Sequence, residues 1–331
     1  MKPFAFVLLI ALFLQSCGNN GKTKNETTHA VGKRKAIRAE ESFMTSRRLP
    51  SSGKVSYQWK ESDSLIAHAS TKELIALAKN HSDKIRRLIA FRALLTKAPH
   101  EAVNLAISEI EDTTVVMTSD CYCGQQDRVS NVRISMIQYQ RKRYKVCLAD
   151  SIRIDSALLF SNHTPKFYYM YDLYHKLPAK PEYEERLWQL YEHDHHALIT
   201  LARFHKENTK QEIIRLLMQT NKKNLWRYRD TIRTALYSVI VWPTTSYKKQ
   251  VRHVCKDILN NKDADVCVSQ VFGALMAYND RWSYNVIDKT MSKVKHNENK
   301  YYEYCWGLHE AYDNHPLPLF KPLYKKYAIE E

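Results

Sequence analysis

The stretch Ser82–Asp112, SDKIRRLIAFRALLTKAPHEAVNLAISEIED, limits most sharply what this chain can fold into. Its first half carries two apolar stripes at helical spacing, with Ile85, Leu88, Phe91 and Leu95 on one face and Ala90, Ala93 and Leu94 on the next. A helix apolar on two sides has to be covered from two sides. Ser82 is placed to cap it, and Pro99 to open a second helix at a position whose N–H has no helical partner anyway. That second helix sets Val103, Leu105, Ala106, Ile107 and Ile110 among polar residues, so it has one apolar face and belongs outside the first. One such hairpin cannot close a core, whereas copies stacked side by side can. The expected fold is all-α, an α-solenoid of antiparallel helix pairs with an irregular insertion near residues 113–127.

Arg87, Ala90, Phe91, Ala93 and Leu94, preceded by Ser82 and Asp83, resemble the inner-helix signature of HEAT-like repeats, an arginine followed by spaced small and apolar residues. The resemblance covers about thirty residues, and the remainder is compatible with that family's repeat length of roughly 40. Arg86 stands where the family usually has Val or Ile, a departure that bears on register and not on the hairpin. The resemblance implies a stack of helical hairpins.

Composition agrees with helices. Only 7 Gly and 10 Pro occur in 331 residues, which argues against an all-β chain built on tight turns, and 44% hydrophobic residues suffice for a sizeable core. The first residues, MKPFAFVLLIALFLQSC, place a Lys before an apolar run from Phe4 to Leu14 and then small and polar residues, a secretory layout too short to span a bilayer. Leu14, Gln15, Ser16 and Cys17 resemble the lipobox of bacterial lipoproteins. That resemblance implies cleavage before Cys17 and acylation of its thiol with chains such as palmitate. Gly18, rather than Asp, after the cysteine implies the outer membrane as the address.

Three segments are therefore expected: a signal peptide over 1–16, lipidated Cys17 with a disordered tether over 17–54, and the helical domain over 55–331. The tether rests on composition, since residues 18–54 are polar and hold nine cations against three carboxylates. No other apolar run is long enough to cross a membrane, so the remainder is expected to face the periplasm, held by its acyl chains.

Along the domain, Asp63–Ala69 predicts a short helix and Ser70 with Glu73 a capping box for the next. TTVVMTSDCYCGQQD, Thr113 to Asp127, breaks the helical pattern and predicts an irregular insertion or a short hairpin. Later helices are expected over Ser151–Phe160, Lys166–Lys176, Pro181–Tyr191, His196–Phe204 and Lys210–Met218. Further ones follow over Leu225–Val241, Ser246–Leu259, Asp263–Ala277, Trp282–Val294, Tyr301–Tyr312 and Leu319–Tyr327.

Chemistry is sparse. Six cysteines remain beside Cys17, in a compartment that permits disulfides. Cys255 and Cys267 sit on adjacent predicted helices and have two readings, a bridge across the intervening turn or buried thiols acting as small core residues. Cys121 or Cys123 has Cys147 as a candidate partner, although connectivity cannot be read from sequence. His193 and His196 share a helical face at a three-residue spacing and are weak metal candidates, with no accompanying base and a solvated helix start as the plainer reading.

No P-loop, nucleophile elbow, Gly-rich dinucleotide turn or paired-carboxylate motif occurs, so neither a metal nor a cofactor is expected. The net charge of +16 and the cations of Lys248, Lys249 and Arg252 near aromatics suit an anionic partner. Export disfavours nucleic acid and favours a protein or an anionic envelope polymer. The expected function is a non-catalytic binding or scaffolding lipoprotein, with a glycan-acting envelope enzyme as the alternative.

Overall fold

The polypeptide enters its fold earlier than its composition implies. The computed structural model describes residues 42–49, 52–119, 124–164, 167–221, 225–260 and 267–327, which belong to one compact unit, Ala39–Glu331. Residues 42–49, expected in the tether, contain a short strand, β1 (Phe43–Met44), with both side chains buried. Specific bonds hold it. The Met44 N–H donates to Gln58 Oε1 at 2.8 Å, and Gln58 Nε2 donates to the Ser42 carbonyl at 2.7 Å. Arg92 donates to the carbonyls of Met44 and Gln58, both at 3.0 Å, and its guanidinium lies 3.9 Å from the centroid of Trp59 and 4.9 Å from that of Phe43. Burial lowers the Arg92 pKa to about 10, which still leaves the group charged at neutral pH.

Helix α1 (Tyr57–His68) starts six residues before the expected Asp63 and is followed by α2 (Thr71–Lys79). The capping box forms as expected, with the Glu73 N–H on Ser70 Oγ at 3.2 Å and the Ser70 N–H on the Glu73 carboxylate at 2.7 Å. Helix α3 (Lys84–Lys97) is capped by Asp83 and not by Ser82. The Asp83 carboxylate accepts from the N–H groups of Ile85 and Arg86, and an anion suits the positive end of a helix better than a hydroxyl. Every residue from Arg87 to Leu95 is buried, as two apolar stripes require. Helices α1, α2 and α4 (Pro99–Ser108) supply the cover.

The insertion is a hairpin. β2 (Val115–Ser119) and β3 (Gly124–Arg128) pair antiparallel, with Val115 opposite Arg128 and Ser119 opposite Gly124, and β1 joins β2 in parallel to complete the order β1-β2-β3. Next comes α5 (Val129–Tyr139), which also packs on α3. Arg87 donates to Glu109 at 3.1 Å and to Asp112 at 2.7 Å, Arg133 donates to the same Glu109, and both arginines reach the Ala78 carbonyl. Two cations facing two carboxylates satisfy the condition for burying either kind of charge.

The chain continues through α6 (Leu148–Phe160), α7 (Met170–Lys176), α8 (Pro181–Tyr191), α9 (Ala197–Leu201), α10 (Glu207–Leu217) and α11 (Leu225–Val241). It ends with α12 (Lys248–Asn260), α13 (Val268–Met276), α14 (Arg281–Val294), α15 (Glu298–Asn314) and α16 (Lys321–Lys326). The molecule is mostly helical, with one small sheet among the described residues. Helices α9, α11, α13 and α15 pack each against the next, while α10 touches α12 and α12 touches α14. Burial follows composition: all of α9 and nearly all of α13 are buried, whereas α10 and α14 bury one stripe each. Among the described residues no helix is long and apolar enough to cross a membrane.

Candidate functional site

Two amphipathic helices, α12 and α14, create the basic groove on this protein. In α12, Val251, Val254 and Cys255 fall at helical spacing and are buried, which turns Lys249, Arg252 and Lys256 outward. In α14, Ile287, Thr290, Met291 and Val294 go inward and Lys289 and Lys293 outward. Asp280 caps α14 by accepting from the Ser283 N–H at 2.9 Å. Lys248, at the start of α12, pairs with that same Asp280 and lies 4.9 Å from the centroid of Trp282. Further along both helices, Cys255 Sγ sits 3.5 Å from Thr290 Oγ1. The helices thus run side by side in the same direction, tied at two levels.

Between them lies a groove of about 340 Å³. Arg252 and Lys256 form one rim, Lys289 and Lys293 the other, Trp282 and Val286 stand in the wall, and Cys255 and Thr290 line it from within the helix contact. Among the described residues no carboxylate is in the lining. The nearby acids among the described residues are engaged elsewhere: Asp280 by Lys248, Asp257 by His253 at 3.4 Å, and Asp288 by Lys326 and the Tyr327 hydroxyl, each at 2.7 Å. Among the described residues, Arg252, Lys256, Lys289 and Lys293 form no ion pair. Four like charges around one groove repel each other, and a bound anion relieves that repulsion. The Cys255 thiol does not add chemistry, because burial raises its pKa and keeps it protonated.

Of the cations the sequence pointed to, Arg252 lines the groove and Lys249 is exposed on the same helix. Lys248 is half-buried and already compensated, so it braces the site instead of reading a ligand. Sequence reasoning missed Lys256, Lys289 and Lys293. Their signal was the four-residue spacing of Arg252 with Lys256 and of Lys289 with Lys293, which places each pair on one polar face.

The histidines separate. His193 is exposed in the turn after α8, while His196 immediately precedes α9 and bonds Asp194 through Nδ1 at 2.8 Å, with Tyr171 packed on its ring at 5.1 Å. Neither belongs to a longer helix that would present both on one face. Burial first, then the neighbouring His196 and Arg203, holds the pKa of His175 down at about 4. Among the described residues no group of three or more His, Cys, Asp or Glu is placed to hold a metal.

Cys255 and Cys267 are both buried and are not bridged to each other, and Cys147 is an exposed thiol at the start of α6. Cys121, Cys123 and Cys17 lie outside the described residues.

Fold and site together define a mostly helical protein with a cation-lined groove. Comparison with protein-family models, with curated proteins and with solved structures finds no match.

Proposed function

We propose that this chain is a non-catalytic lipoprotein of the bacterial envelope, a binding or scaffolding module that holds an anionic partner. In this reading its helices stack as a HEAT-like α-solenoid, anchored to the outer membrane through acylated Cys17. The side-by-side row of α9, α11, α13 and α15, flanked by α10, α12 and α14, supports the solenoid; the N-terminal lipobox supports the anchor. One observation carries the binding function: four cations from two helices converge on a groove whose described lining holds no carboxylate to neutralise them. The glycan-acting alternative asks for paired carboxylates at the site, and no observation on this groove favours it.

The test is capture of the partner by the lipidated full chain from detergent-solubilised membranes, followed by affinity measurement at low and raised salt. Wild-type binding should fall as salt rises, because exposed charges are screened over about 8 to 10 Å near physiological ionic strength. The double reversal Arg252→Glu with Lys289→Glu should remove binding at low salt. Binding indifferent to both changes rejects the groove as the interface.

A further inference from the structure

A larger cleft, of about 910 Å³, opens between the end of α5, the following turn, α6, and the α7–α8 connection. Its chemistry differs from that of the groove on α12 and α14. Leu148 and Ile152, one turn apart on α6, are 64% and 48% exposed and face this space, with Leu177, Pro178 and Tyr183 across from them. Such side chains left in water along one helix face mark a surface built to be covered. Arg141, Lys142, Arg143, Lys176 and Lys180 surround the apolar strip, and none of these cations forms an ion pair among the described residues. Lys176 lies 5.0 Å from the ring centroid of Tyr169, Lys180 5.2 Å from that of Tyr183, and Arg143 4.7 Å from that of Trp59, so aromatic rings hold three of them in place.

The occupant can be narrowed. Among the described residues the lining carries five cations against Asp155 alone. A second copy of this chain, at +16, is repelled, as is its own stretch 18–41 with six cations to three carboxylates. A peptide needs neutral polar groups to read its backbone, and Gln138, Ser151 and the side-chain oxygen of Gln140 are used internally. Gln138 Nε2 donates to Asp155 at 2.8 Å, Ser151 Oγ donates to Gln138 Oε1 at 3.0 Å, and Gln140 Oε1 accepts from Arg143 at 3.3 Å. The α6 and α8 walls are helix sides, whose backbone groups are already bonded. What dominates the lining is apolar surface and positive charge. The volume is at the upper end of the roughly 300 to 1,000 Å³ typical of small-ligand sites.

We propose that this cleft binds a single-chain lipid carrying a phosphate head, its acyl chain along Leu148, Ile152 and Leu177 and its phosphate among Arg141, Lys176 and Lys180. A phosphate is favoured over a carboxylate because a dianion matches the cation excess more closely and accepts from several donors at once. The site stands independently of the groove on α12 and α14.

The experiment is calorimetric titration of the purified full chain with palmitoyl lysophosphatidic acid below its micellar concentration, with palmitate, monopalmitin and inorganic phosphate as comparison probes. The phosphate lipid should bind at least tenfold tighter than palmitate or monopalmitin, and inorganic phosphate weakest of all. The exposed pairs Leu148→Glu with Ile152→Glu, and Lys176→Glu with Lys180→Glu, should each weaken it at least tenfold with unchanged circular dichroism. Arg252→Glu with Lys289→Glu should leave it unchanged, which separates this site from the other. Absence of binding, equal binding of palmitate or monopalmitin, or indifference to both pairs of cleft substitutions overturns the assignment.

Discussion

Asp155 shows how a single residue records its surroundings. It is half-buried in the cleft wall with no ion pair among the described residues, and burial pushes its pKa up to about 6 despite the opposing pull of Lys176 and Arg141. The unfolded chain ionises near 3.9, so the folded state holds the proton more tightly. Stability from this group is therefore present below about pH 4, declines as pH rises to about 6, and is absent above that. Asp155→Asn keeps an oxygen for Gln138 and removes the charge. The shift alone sets a ceiling near 3 kcal/mol, and partial solvent screening reduces the expected gain at pH 7 to about 1 to 2 kcal/mol. Urea unfolding at pH 7 and pH 4 checks it: the variant should be the more stable at pH 7 and equal to wild type at pH 4. A gain that persists at pH 4 assigns the effect to packing instead.

Among elements, the contact of α13 with α15 is the tightest to test. A Cβ on Gly307 would lie 2.7 Å from Val268 Cγ1 and 3.1 Å from the Ser269 backbone nitrogen, closer than packed atoms tolerate. Helix propensity alone favours Ala over Gly by roughly 1 kcal/mol, whereas overpacking costs about 1 to 3 kcal/mol. The backbone contact cannot yield as a flexible side chain would, so packing should win. Gly307→Ala is expected to lower stability by about 1 kcal/mol, and a rise in melting temperature would show that the two helices part freely. The strand β1 is the second test. A chain beginning at Val55 loses buried Phe43 and Met44, worth about 3 to 5 kcal/mol together, relative to one beginning at Ala39. Equal denaturation midpoints would make β1 a passive attachment.

For the whole molecule, the prediction concerns address. In the lipoprotein reading proposed above, Cys17→Ser removes the thiol that would be acylated. The expected outcome is loss of acyl labelling and release of the chain from the membrane fraction, since among the described residues no helix can replace the anchor. A variant that still fractionates with membranes and still takes up labelled palmitate defeats the lipoprotein reading.

Much of the architecture was legible in linear order. The bounds of Pro181–Tyr191 and Leu225–Val241 agree with the structure, the capping box of Ser70 forms, and the break at 113–127 is a hairpin. Local rules are enough there, because caps, prolines and apolar periodicity act over a few residues. The errors have separate causes: Phe43 and Met44 were hidden by polar neighbours, and Asp83 displaced Ser82 as the cap through a helix-end charge effect. The site was half legible, with Arg252 in a visible basic run but Lys289 and Lys293 more than thirty residues away.

Spacing and composition were enough for most of the helical segments, for the faces they bury and for the excess of positive charge. Which charges are neutralised depended on packing: Lys248 meets Asp280, Arg87 meets Glu109 and Asp112, and among the described residues the cations of the groove and the cleft form no ion pair. Electrostatic interaction depends on distance in space, and the chain brings those groups together from residues far apart in sequence.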